Sequence, residues 1–152
     1  MEAFRALRAF AFSDAKVGLF GVSRGAEHAL LVTSLMVRDG ESGLPDAVAA
    51  LAPPDVICGA FDARTWKGAS DCLLPTTPIA IEDYDGPFFL AHGKKDKVWS
   101  SHMTERLTAR LRSAGRAPEV HLYEDQGHVP DSAGENVFNA DLIGFFERTL
   151  CQ

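Results

Sequence analysis

Four short apolar runs, "KVGLFGV" (16–22), "DAVAALA" (46–52), "GPFFLAHG" (86–93) and "PEVHLYE" (118–124), recur along the chain with helix-period segments between them. Strands that are apolar on both faces leave no side for water and must be covered twice, and the intervening helices supply the cover. The pattern predicts an α/β domain of three layers, a parallel sheet of about four strands with helices on both faces. In such sheets the reacting groups sit beyond the carboxyl ends of the strands.

The helical segments follow from their spacing. Ala26, Ala29, Leu30, Leu35, Met36 and Val37 suit a long buried helix from Arg24 to about Arg38, stopped by the two glycines of "DGESG". "SHMTERLTARLRSAG" places Met103, Leu107 and Leu111 on one side, and "GENVFNADLIGFFERTL" gives a closing helix with a face of Val137, Leu142, Ile143, Phe145 and Phe146. Phe4, Leu7, Phe10 and Ala11 predict a short amphipathic helix at the start, ending near Ser13 and Asp14. Residues 53–85 form a long connection expected to hold a short helix or two, and its Phe61, Trp66, Leu73 and Leu74 supply apolar area for a small lid or pocket wall.

With 152 residues and neither a repeat nor a low-complexity tract, a single domain over 1–152 is expected, burying roughly two thirds of its unfolded surface. A net charge of −6 gives no support for capture of nucleic acid or an anionic membrane, so neither is expected as a partner. "MEAFRALRAF" lacks the apolar core of a signal peptide and no stretch approaches the ~20 apolar residues of a membrane span, so the expected location is cytoplasmic. Cys58, Cys72 and Cys151 are odd in number and widely spaced, which reads as reduced thiols, and no metal site or cofactor is expected.

The chemistry begins in "GLFGVSRGAEHAL", where Gly21-Val22-Ser23-Arg24-Gly25 fits the G-x-S-x-G nucleophile elbow between a strand and a helix. Gly21 and Gly25 are the elbow glycines, which let strand and helix approach closely, and the backbone N–H of Arg24 is the expected oxyanion donor. Asp96 in "AHGKKDKVW" and His128 in "YEDQGHVP" fall just past the third and fourth strands. Serine, acid and histidine thus occur in the order of an α/β-hydrolase triad. Ser23 is too weak an acid to attack unaided, so His128 takes its proton and Asp96 fixes the imidazole tautomer. Asp125 and Asp131 are rival acids, too close to His128 in sequence to reach its Nδ1 easily. His92 and Trp99 are pocket candidates, each with a structural alternative: a satisfied core histidine and an anchor for the acid loop. Lys94, Lys95 and Lys97 read as a solvated basic loop.

"GVSRGAEHAL" resembles the elbow of the C-terminal catalytic domain of acyl-CoA thioesterases and bile acid-CoA:amino acid N-acyltransferases. "GPFFLAHGKKDKVWSS" is similar to that family's acid loop, and "LAPPDVICGAF", "LLPTTPIAIEDYDGP" and "HLYEDQGH" are similar to family segments in the same order. Dienelactone hydrolases are the next nearest in resemblance, with cysteine usual where this chain has Ser23. The resemblance, over about residues 16–130, implies the C-terminal half of an α/β-hydrolase fold, a Ser23–Asp96–His128 triad, and a small-molecule ester or thioester substrate.

Residues 1–15 contain nothing similar to the HGGG-type loop that donates a second oxyanion N–H. Two functional expectations follow: a serine hydrolase cleaving carboxylic esters or thioesters through an acyl-Ser23 intermediate, or a non-catalytic or half-enzyme domain that a partner chain completes. The strand Lys16–Val22 is expected to pair with only one neighbour within the chain. Its other edge predicts a homodimer, or a complex with another half, built through that strand.

Overall fold

The computed structural model describes residues 2–10, 15–57 and 77–151. The lid residues Phe61, Trp66, Leu73 and Leu74, with Cys58 and Cys72, lie outside the described residues, as do Ser13 and Asp14. Ten elements follow in order: α1 (Glu2–Phe10), β1 (Gly18–Val22), α2 (Arg24–Arg38), β2 (Ala47–Leu51), β3 (Val56–Ile57), β4 (Thr77–Pro78), β5 (Phe88–Gly93), α3 (His102–Ser113), β6 (Glu119–Tyr123) and α4 (Ser132–Leu150). The four predicted runs form one sheet of order β1-β2-β5-β6, and all three of its pairings are parallel.

The period-two pattern of the two central strands sorts the core. Val48 and Ala50 of β2, with Phe88 and Leu90 of β5, point to the face covered by Ala26 and Leu30 of α2 and Leu107 and Leu111 of α3. Ala47, Ala49 and Leu51, with Phe89 and Ala91, point to the opposite face, covered by Phe138 and Phe145 of α4. Every residue of β2 and β5 is buried. Each large apolar side chain so buried stabilises the fold by roughly 1.5–3 kcal/mol.

Local chemistry moves some boundaries from their expected places. β1 begins at Gly18, two residues late, because the Val17 N–H is taken by the Asp46 carboxylate at 2.6 Å. α4 begins at Ser132, two residues early, because Asp131 is its N-cap and accepts from the Gly134 N–H at 2.9 Å. In the 53–85 connection the described ends pair with each other, Val56 and Ile57 running antiparallel to Thr77 and Pro78, and residues 58–76 between them lie outside the described residues. No helix among the described residues is long and apolar enough to cross a membrane.

The turn between β1 and α2 requires Gly21 and leaves Gly25 free. A Cβ on Gly21 would drive into the Gly25 carbonyl, whereas one on Gly25 would meet nothing within 4 Å. This corrects the expectation that both glycines serve close approach. Gly21→Ala is therefore expected to destabilise the fold by about 1–3 kcal/mol through backbone overpacking. Gly25→Ala, on the first turn of a helix, is expected to be neutral or to stabilise by up to about 1 kcal/mol. Urea denaturation of both variants checks the contrast, and equal losses would contradict it.

Candidate active site

Ser23 closes β1 and caps α2 with φ 55° and ψ −117°, a backbone conformation sparsely populated by any residue but glycine. Two main-chain bonds hold it: its N–H donates to the Leu51 carbonyl at 2.8 Å, and its carbonyl accepts from the Glu27 N–H at 3.0 Å. A serine at a helix N-cap ordinarily turns its hydroxyl onto the helix N–H groups. Here the side chain makes no such bond, and the hydroxyl is left for other partners.

The first of those partners is His128, whose Nε2 lies 2.8 Å from the Ser23 Oγ. On the other side of the ring, His128 Nδ1 lies 2.7 Å from Asp96 Oδ2. Serine, histidine and aspartate thus meet in one hydrogen-bonded run drawn from three strand ends. The two loops that carry the acid and the imidazole are joined beyond β5 and β6 by Lys94 N–H to the Tyr123 carbonyl and Lys95 N–H to the Gln126 carbonyl, each 2.8 Å. Their approach is tight enough that a Cβ on Gly93 would strike the backbone of Gln126 and Gly127.

Asp96 is the most heavily bonded group of the site, its side chain fully buried. Oδ1 accepts from the main-chain N–H of Val98 at 2.6 Å and of Trp99 at 3.0 Å. Oδ2 is shared by His128 and by His92 Nε2, the latter at 3.0 Å. Burial acts to raise the carboxyl's pKa, but the bonds from His128, His92 and the two backbone N–H groups outweigh it and hold the group well below the usual carboxylate range.

Of the two readings of His92, the structure gives the satisfied core histidine and not the pocket residue. Its ring is 0% exposed and sits behind Asp96, with Nε2 also 3.0 Å from the Trp99 carbonyl and Nδ1 2.7 Å from Thr104 Oγ1. Two acceptors face Nε2, so that nitrogen carries the proton, and Thr104 donates its hydroxyl to Nδ1. Trp99, 2% exposed, packs with Ala52 and Met103 and donates its indole N–H to the Ser23 Oγ at 3.0 Å, a contact to the serine itself that the sequence reading did not contain.

The neighbours fall into supporting places. Arg24, first residue of α2, lays its guanidinium on the buried Glu27 carboxylate at 2.5 Å. The rival acids are engaged elsewhere, Asp125 with Lys95 at 2.7 Å and Asp131 in its cap. Lys94 pairs with Glu124 at 2.6 Å, so two of the three loop lysines are matched by acids of the histidine loop.

Because Asp96 stays ionised in the fold to lower pH than in the unfolded chain, it contributes stability that is present above the unfolded value of about 3.9 and is lost as pH falls below it. The stability of the wild type is expected to decline more steeply between pH 5 and 3 than that of Asp96→Asn. Urea midpoints across that range test this, and parallel declines would contradict it.

Residues 60–132 match the family model described as BAAT / Acyl-CoA thioester hydrolase C terminal, a span that takes in Asp96 and His128. Comparison with curated protein sequences finds no match to the chain. Among solved structures, the chain is similar to an acylaminoacyl peptidase of Pyrococcus horikoshii at 15% identity and a TM-score of 0.71, over 99% of this chain and 26% of that one. It is similar to an alpha/beta hydrolase enzyme from a Medee basin deep-sea metagenome library at 16% identity and a TM-score of 0.68, over 99% of this chain and 61% of that one. With the acyl-protein thioesterase 2 of Zea mays it shares 22% identity and a TM-score of 0.61, over 94% of this chain and 62% of that one. The chain thus spans about a quarter of the length of the peptidase and under two thirds of the other two. Its fold is that of the C-terminal half of an α/β-hydrolase, and residues 60–132 carry the sequence pattern of the acyl-CoA thioester hydrolase C-terminal family.

Proposed function

We propose that the chain is a serine hydrolase that cleaves carboxylic esters or thioesters through an acyl-Ser23 intermediate. The observation that carries this reading is the run Ser23 Oγ to His128 Nε2 at 2.8 Å and His128 Nδ1 to Asp96 Oδ2 at 2.7 Å, set on a strained strand-to-helix turn. In the mechanism, Ser23 attacks the acyl carbonyl while His128 takes its proton and passes it to the departing alcohol or thiol. Asp96 keeps the imidazole proton on Nδ1 and stabilises the imidazolium. Arg24, at the positive end of α2, offers its main-chain N–H to the developing oxyanion. Water then repeats the sequence on the acyl-serine and restores the hydroxyl.

The partner reading has its own support. Among the described residues β1 pairs only with β2, and Phe20 and Val22 on it are 41% and 36% exposed. An apolar strand with one open edge pairs with another chain unless something covers it. We propose that a second copy, or a separate half, lies along Lys16–Val22 and brings a further N–H donor near Ser23. The site would then be incomplete without it, since losing one oxyanion donor costs about 10²–10³ in rate.

Two experiments test these readings. Ser23→Ala and His128→Ala are each expected to lower kcat for p-nitrophenyl acetate by about 10⁴-fold or more, with the double variant no worse than either, because the two residues act as a unit. Losses that multiply in the double variant would contradict a shared mechanism. Light scattering is expected to give a dimer, and a stable, soluble monomer at micromolar concentration would refute the edge pairing.

A further inference from the structure

Trp99 binds three members of the site, Asp96, His92 and Ser23. Its main-chain N–H binds Asp96 Oδ1 at 3.0 Å, its carbonyl accepts from His92 Nε2 at 3.0 Å, and its indole N–H donates to the Ser23 Oγ at 3.0 Å. Its ring is 2% exposed and packed against Ala52 and Met103. The indole therefore has little freedom to leave the serine. An indole nitrogen only donates, so Oγ must accept from it, and the serine's own proton is directed to His128.

We propose that Trp99 is a catalytic residue whose indole N–H keeps the acyl-serine short-lived, an inference that rests on reading Ser23 as the nucleophile. In the first half-reaction Oγ bonds to the acyl carbon, its proton goes to His128 Nε2, and the alcohol or thiol departs with that proton as its bond to the acyl carbon breaks. Oγ is then an ester oxygen whose lone pair is delocalised into the acyl carbonyl, a much poorer acceptor than a hydroxyl. The indole N–H, held in place, is left facing that poorer acceptor. In the second half-reaction water attacks the acyl carbon and gives a proton to His128. The bond from the acyl carbon to Oγ breaks, and Oγ takes the proton from His128. Charge grows on Oγ as it leaves, and the N–H is already aimed at it. The bond favours the free hydroxyl over the ester, and so hastens deacylation relative to acylation.

A hydrogen bond of this kind, removed from one state only, changes a rate on the order of tenfold. The test is stopped-flow hydrolysis of p-nitrophenyl acetate by the full chain. Two variants are compared: Trp99→Phe, and a chain carrying β-(3-benzothienyl)alanine at position 99, which keeps the ring shape and removes only the N–H. Removing the N–H is expected to slow deacylation about tenfold and leave acylation equal or faster, so that a burst of p-nitrophenol approaching one per Ser23 appears where the wild type shows a smaller one. A role in packing alone predicts that Trp99→Phe slows both steps together and the benzothienyl variant changes neither, and that result would overturn the proposal. Labelling of the wild type by a fluorophosphonate separates the two levels. A folded wild type that is not labelled at Ser23 defeats the nucleophile reading and this inference with it. A labelled wild type with an unchanged ratio of the two steps defeats this inference alone.

Discussion

The site depends on the backbone of one residue. Ser23 is held at φ 55°, at a cost on the order of 1–3 kcal/mol, and it stays there because strand and helix leave it no alternative. The β1–β2 ladder continues through its N–H to Leu51, the first turn of α2 continues through its carbonyl to Glu27, and Gly21 removes the Cβ that would part the two elements. The strain has a chemical result. A relaxed N-cap serine would satisfy its hydroxyl on the helix, whereas this one turns its hydroxyl to His128 and Trp99.

Around that fixed point the acid loop works as a frame. Asp96 accepts four hydrogen bonds, two from the backbone of its own loop and two from imidazoles, and so can neither rotate nor take a proton readily. The bond from His92 Nε2 to the Trp99 carbonyl ties the far side of the loop to β5, and Thr104 fixes the His92 tautomer from α3. Positioning thus passes from the buried face of the sheet to the serine through Thr104, His92 and Trp99, all of them buried. The acyl-CoA thioester hydrolase pattern of residues 60–132 spans this frame and the histidine.

The layers were legible in the sequence because burial writes itself into periodicity: both faces of β2 and β5 are apolar, and α2 runs from Arg24 to Arg38 as its apolar spacing requires. Ser23, Asp96 and His128 were legible because each stands where a strand ends. What escaped the reading lacks a local signature. Trp99 reaches a serine 76 positions away, a contact that no spacing encodes. His92 ends a strand, a place open both to a pocket residue and to a core histidine, and the packing of α3 over it decides for the core. Ala52 takes a positive φ of 50° with no glycine to announce it, and its methyl lies against Trp99. Asp131 has the chemistry of an acid and of a helix cap alike, and its bond to the Gly134 N–H assigns it to the cap of α4.

Covalent acylation of Ser23 is the step on which the proposed function turns. Acid quenching during turnover of p-nitrophenyl acetate, followed by trypsin digestion and mass spectrometry, addresses it directly, because cleavage after Lys16 and Arg24 isolates the serine in the peptide "VGLFGVSR". An acetyl group is expected on that peptide at Ser23 and is expected to be absent from the Ser23→Ala variant. An active protein whose only adduct lies on another residue, or that turns over with no adduct at any quench time, would contradict that step.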